Sequence, residues 1–178
     1  MSTVADGATG LDETRLTPIA EARAPAIEAL LDLAFGADRH GRTAYRLRAG
    51  VIAEPAASCA AFDARGELVG SLQSWPLGLF GDDGAVTPLW LVGPIAVHPD
   101  RRNEGIGRAM LRRALAAIDR TGVPALLIGD PEYYGPFGFA ADATGGWSLP
   151  GPVERRRLLI RLDGGATLPA TGMLGPRG

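Results

Sequence analysis

VGPIAVHPDRRNEGIGRAML, residues 92–111, joins an apolar run to an amphipathic one through a polar stretch holding two glycines. Glycine in a helix interior costs about 1 kcal/mol relative to alanine, so Gly105 and Gly107 do not serve helix stability. They point to a need for bare backbone. A helix N-terminus carries amides with no intrahelical acceptor and about half a positive charge, which suits it to an anion. Glycines there let the backbone come within hydrogen-bonding distance of a pyrophosphate, with Arg102 and Arg108 as reinforcement. The stretch lacks the G-K-[ST] ending of a P-loop and the third glycine of a dinucleotide fingerprint.

Upstream, the run LWLVGPIAVHP reads as a strand with an irregularity at Gly93-Pro94. Proline gives no N–H to a ladder and glycine is weak strand material, so the pair marks a bulge or an edge. The surrounding residues are as apolar as those of a central strand. Two readings follow: an ordinary edge strand, or a central strand locally detached from its neighbour with backbone groups free for a ligand. Downstream, Ile106, Met110, Ala114, Leu115 and Ile118 form a helix stripe that ends at Thr121-Gly122 and Pro124. PALLIGD then reads as a buried strand, so residues 89–129 make a strand–helix–strand unit with a parallel pair.

The rest of the chain extends this core. TRLTPIA suits a short strand; Ile27, Leu30, Leu31, Ala34 and Phe35 form a helix stripe between Pro25 and Gly36. RTAYRLRAG suits a shorter helix. SCAAFDARGELVGSLQSWPLG reads as a hairpin around DARGE. PEYYGPFGFA is a turn or short helix, and ERRRLLIRLD a last strand. Residues 1–12 are small, polar and acidic and are expected to be disordered; the Gly/Pro-rich residues 164–178 are expected to fray. The expectation is one domain over 13–163, of α/β (mixed α+β) class, with helices on a mostly antiparallel sheet.

The chain has 178 residues, 46% hydrophobic and 21% charged, with a net charge of −2. That balance gives no electrostatic case for nucleic acid or an anionic membrane as partner. Every basic side chain except the two histidines is arginine. One cysteine, Cys59, excludes an internal disulfide and a cysteine-based zinc site, and its apolar setting suits a core residue. No apolar run approaches the roughly 18 residues of a membrane span, and the first residues lack signal-peptide segments, so a cytoplasmic protein is expected.

VHPDRRNEGIGRAML resembles the acyl-coenzyme A (CoA) loop of the GNAT superfamily of N-acetyltransferases, [QR]-x-x-G-x-[GA], with Arg102, Gly105 and Gly107 in its defining places. YYGPFGF resembles the superfamily's tyrosine element after the next strand. With VGPIAVHP and GDPEYYGPFGF, the chain is most similar to the YhbS-type subgroup. The resemblance implies acetyl-CoA as cosubstrate, no metal, and a splayed central strand. It implies that the pantetheine arm pairs with the backbone of Ile95, Ala96 and Val97. It implies that the pyrophosphate sits on the amides of Asn103, Glu104, Gly105, Ile106, Gly107 and Arg108. An amine attacks the thioester directly, and the match for the acid that protonates the thiolate falls on Tyr134 rather than Tyr133. The chain departs from the pattern in two ways. Gly129-Asp130-Pro131 stands where many members have an asparagine, and WLVGPIAV holds no carboxylate base, which leaves Asp130, Glu132 or water.

The resemblance leaves the amine acceptor unidentified and allows a homodimer. Two alternatives use the same fold: a non-catalytic acyl-CoA-binding or sensing module, and a protein-interaction domain. His98 and His40 read as loop residues, Trp75 and Trp90 as core strand residues, and Arg155 to Arg157 as a solvated strand end. Trp147 reads as core or as pocket lining.

Overall fold

Two long strands, β3 (Leu68–Phe80) and β4 (Val86–Val97), form an antiparallel spine in the computed structural model, which describes residues 13–162 and 164–178. The segment expected to be disordered, residues 1–12, lies outside the described residues. On one side of the spine come β2 (Cys59–Phe62) and β1 (Arg15–Pro18), both antiparallel. On the other come β5 (Ala125–Ile128), parallel to β4, and β7 (Leu158–Arg161), antiparallel to β5. The hairpin turn falls where DARGE predicts, with the Asp63 carboxylate accepting from the amides of Arg65 and Glu67.

Helices cover both faces. Helix α1 (Ala24–Phe35) buries Ile27, Leu30 and Leu31 on one face, around Ala96. The short α2 (Thr43–Arg46) follows α1. Helix α3 (Ile106–Asp119) makes the crossover from β4 to β5 and buries the predicted stripe against Cys59, Leu72, Val92 and Leu127 on the other face. Strand neighbours alternate between the faces: Leu126 joins the α1 side of the sheet and Leu127 the α3 side. Helix α4 (Pro131–Tyr134) follows β5.

The C-terminal expectation is corrected. Gly172–Pro176 forms β8, which pairs antiparallel with the distal half of β3 from Leu77 to Phe80. It also pairs in parallel with β6 (Trp147–Ser148). Strand β2 covers only the proximal half of β3, so the remaining edge of that 13-residue strand is open, and β8 fills it. Leu174 is buried among Leu77, Leu79, Leu89 and Trp147. Two adjacent apolar residues, Met173 and Leu174, between glycines and a proline give no periodic signal, which is why the strand is invisible in sequence.

Leu174→Ala should therefore lower stability by about 2–5 kcal/mol, the usual range for a buried leucine truncation. Urea denaturation measures it; a loss below about 0.5 kcal/mol, as at a surface position, would show that β8 is not part of the core.

Candidate functional site

The site begins with an irregularity in β4. Leu72 pairs with Ile95 and Ser74 with Val92, so three steps along β4 are matched by two along β3. The extra residue lies at Gly93-Pro94, and it is a bulge rather than an edge, because β4 is central in the sheet. Its effect on side-chain parity is visible: Val92, Ile95 and Val97 all face α3, while Ala96 faces α1. Beyond the bulge β4 also leaves β5. The two strands pair only at Trp90–Ala125 and Leu91–Leu126.

The parting strands open a cleft of about 570 Å³. Ile95, Val97, Arg102, Gly107 and Tyr134 all line it. His98 N–H donates to the Val69 carbonyl at 2.8 Å. Antiparallel alternation then directs the Ala96 N–H and C=O to β3 and turns those of Ile95 and Val97 to the open edge. Of the three backbone positions expected to meet a ligand, Ala96 is thus committed to the sheet and buried under α1.

At the mouth of α3, Gly105 is the N-cap with a left-handed φ of 83°, and no side chain caps the helix. The amides of Ile106, Gly107 and Arg108 therefore have neither an intrahelical acceptor nor a capping oxygen. Asn103 also has a positive φ, 67°. A Cβ at Gly107 would lie 3.2 Å from Tyr133 Oη and 3.5 Å from Val97 Cγ2, so glycine keeps the backbone close to both walls. The remaining loop side chains do not line the cleft. Ile106 is core, Glu104 pairs with Arg101 at 2.6 Å, and the Arg108 guanidinium lies over the Tyr133 ring at 5.5 Å.

Tyr134 reaches the cleft from α4, which starts at Asp130-Pro131 because proline suits the first helical position. Its ring packs edge-on to Tyr133 at 4.8 Å and Phe139 at 6.2 Å. Burial, with smaller contributions from Tyr133 and Asp130 against Arg157, pushes its hydroxyl pKa up to about 12. Gly129, in the Gly129-Asp130-Pro131 stretch that departs from the resembled pattern, has a structural reason. A Cβ there would stand 2.3 Å from Tyr134 Cε2, so only glycine admits the ring.

The carboxylates considered as bases are engaged: Asp130 pairs with Arg157 at 3.2 Å and Glu132 with Arg156 at 3.2 Å. His98 Nδ1 accepts the Asp100 amide at 3.2 Å, a capping role. His40 packs on Tyr45 at 4.8 Å. Cys59 is fully buried and its thiol is pushed up to about 11 by burial, so it is held as the unreactive thiol. Trp147 is core, with its Nε1–H donating to the Pro169 carbonyl at 2.8 Å. The expectation of a solvated Arg155–Arg157 end is corrected at Arg157, which lines the cleft. Among the described residues no cluster of three or more His, Cys, Asp or Glu side chains could hold a metal, and no helix is long and apolar enough to cross a membrane.

Sequence reasoning missed the wall opposite Tyr134. Arg39 is buried between Glu28, Asp32 and Tyr45, tying α1 to α2. Tyr45 and Arg48 line the cleft beside it, and the indole N–H of Trp75 donates to the Gly93 carbonyl at 2.9 Å. The i, i+3 spacing of Tyr45 and Arg48 was a usable signal that they share one face.

The family model described as the acetyltransferase (GNAT) domain matches residues 15–141. The chain is similar to a GNAT family N-acetyltransferase, YhbS, from Escherichia coli solved in complex with CoA. The two share 22% identity and a TM-score of 0.70, over 93% of this chain and 90% of that one. It is also similar to a GNAT family acetyltransferase from Brucella melitensis solved with acetyl-CoA, at 24% identity and a TM-score of 0.62, over 92% and 96% of the chains. The comparison with curated proteins gave no match.

Gly129→Ala should displace the Tyr134 ring and destabilise the fold by about 1–3 kcal/mol, as overpacking does. Ring NMR resonances of Tyr134 report the displacement; unchanged resonances with unchanged stability would remove Gly129 as its seat.

Proposed function

This chain belongs to the acetyltransferase (GNAT) domain family, and we propose that it transfers the acetyl group of acetyl-CoA to a primary amine by direct attack in a ternary complex in the cytoplasm. One observation carries the reading: the open edge of β4 runs toward uncapped α3 amides, with Tyr134 on the same cleft. These features fit a ligand that is part amide-containing chain and part pyrophosphate. The N–H and C=O groups of Ile95 and Val97 would continue the ladder onto the pantetheine arm. The first-turn amides of α3, with Arg102 beside them, would hold the pyrophosphate.

In the reaction the amine nitrogen forms a bond to the thioester carbon, whose oxygen becomes an oxyanion. A backbone N–H on the open edge of β4 stabilises that charge without reorganisation. The C–S bond then breaks, and the thiolate takes the proton of Tyr134. The proton shed by the amine leaves through water, since Asp130 and Glu132 are held by Arg157 and Arg156. Tyr134 regains its proton from solvent. A hydroxyl pKa of about 12 keeps the tyrosine protonated through neutral pH. The burial that raises it also disfavours a free thiolate beside it, so the donor and acceptor move together.

Acetyl-CoA should raise the melting temperature of the wild type, and Gly107→Val should abolish most of that shift while folding normally. No shift at millimolar acetyl-CoA would favour a protein-interaction domain. With an accepted amine, Tyr134→Phe should lower kcat by about 10²–10⁴-fold with little change in acetyl-CoA affinity, and Tyr133→Phe far less. Binding without CoA release from any amine would favour a sensing module, and equal small losses in both variants would remove Tyr134 from the chemistry.

A further inference from the structure

The cleft wall opposite Tyr134 holds a buried cation, Arg48, with no carboxylate partner among the described residues. Arg48 is 8% exposed, yet it lines the cleft. Its guanidinium lies 3.8 Å from the Tyr45 ring centroid and 4.8 Å from that of Trp75. It hydrogen-bonds the Tyr45 side chain, and its contact to the Gly93 carbonyl, at 3.5 Å, is at the limit of such bonds. Two aromatic faces stabilise a cation and fix its plane, but they leave most of its five N–H donors unused. Glu28, whose field reaches Arg48, is held with Asp32 by Arg39. The carboxylates lining the cleft, Asp130 and Glu154, are paired with Arg157 and Arg156. A cation taken out of water without an anion is costly, so a site of this form is complete only when a ligand supplies one.

The location limits what that anion belongs to. Gly93 is the bulge of β4, next to the open edge where the reading above puts the thioester. Arg102, on the α3 side, serves the pyrophosphate in that reading. Arg48 lies on the α1–α2 side with Tyr45, away from the α3 mouth.

We propose that Arg48 is the anion subsite for the acetyl acceptor, and that the acceptor is a small amine carrying its own carboxylate, an amino acid, rather than a polyamine or a protein N-terminus. The planar fork of the guanidinium suits a carboxylate in bidentate contact, which lysine would not reproduce. This rests on the acetyl-transfer reading, and its test separates the two.

Wild-type protein with acetyl-CoA is assayed for CoA release with the standard α-amino acids and with their carboxamides. At least one amino acid should be preferred over its carboxamide by about 10–100-fold in kcat/KM, the range of a hydrogen bond to a charged group. Arg48→Gln should erase that preference with the acetyl-CoA KM unchanged, and Arg48→Lys should restore part of it. Equal use of carboxamides by the wild type, or a preference retained in a folded Arg48→Gln, overturns the proposal while leaving acetyl transfer intact. A second readout needs neither turnover nor a variant: calorimetric titration of the CoA-loaded wild type with N-acetyl amino acids and their carboxamides. A carboxylate preference there without CoA release from any amine would overturn the transfer reading and support the anion subsite. No preference in either assay overturns the subsite.

Discussion

The loss of pairing between β4 and β5 beyond Leu91 is the constraint on which the site depends. A buried strand ordinarily satisfies the N–H and C=O groups on both of its edges, because an unpaired buried group costs about as much as a lost hydrogen bond. Here one edge of Ile95 and Val97 has no strand beside it, and the separation opens it to a cleft instead. The bulge at Gly93-Pro94 makes the separation consistent with a continuous β3–β4 ladder. It shifts parity so that Ile95 and Val97 keep their side chains on the α3 face. Trp75 and Arg48 then hold the Gly93 carbonyl from the opposite wall.

Everything around the opening is braced by the two faces of the sheet. The buried stripe of α3 fixes the helix so that Gly107, in its first turn, lines the cleft. On the other face α1 packs over Ala96, and the Arg39 network ties α1 to α2. Tyr134 is set between Gly129 and Phe139, so its position follows from packing rather than from a hydrogen bond. Burial then decides its protonation, raising the hydroxyl pKa to about 12.

The cleft is also electrically uneven. Arg39, Arg42, Arg48, Arg102 and Arg157 line it against Asp130 and Glu154, although the chain as a whole carries a net charge of −2. Net charge gave no electrostatic case for nucleic acid, but it said nothing of this local excess. Pairing distributes the excess: Arg39 and Arg157 have carboxylates, and Arg48 has aromatic faces instead.

The sequence alone determined the elements whose signals are local. The stripe of α3, the hairpin at DARGE, the strand–helix–strand unit and the loop bearing Gly105 and Gly107 are all legible, because periodicity and turn chemistry act within a few residues. The tertiary structure decided what depends on distant partners. Strand β8 exists because half of β3 lacks a neighbour, a fact about sheet length and not about GMLGP. Ala96 is turned to β3 by ladder alternation, and Gly129 is required by a ring five residues further on. Arg48 meets Trp75 and Gly93 only after the sheet has formed, since contacts between residues 27 and 45 positions apart leave no trace in a local pattern.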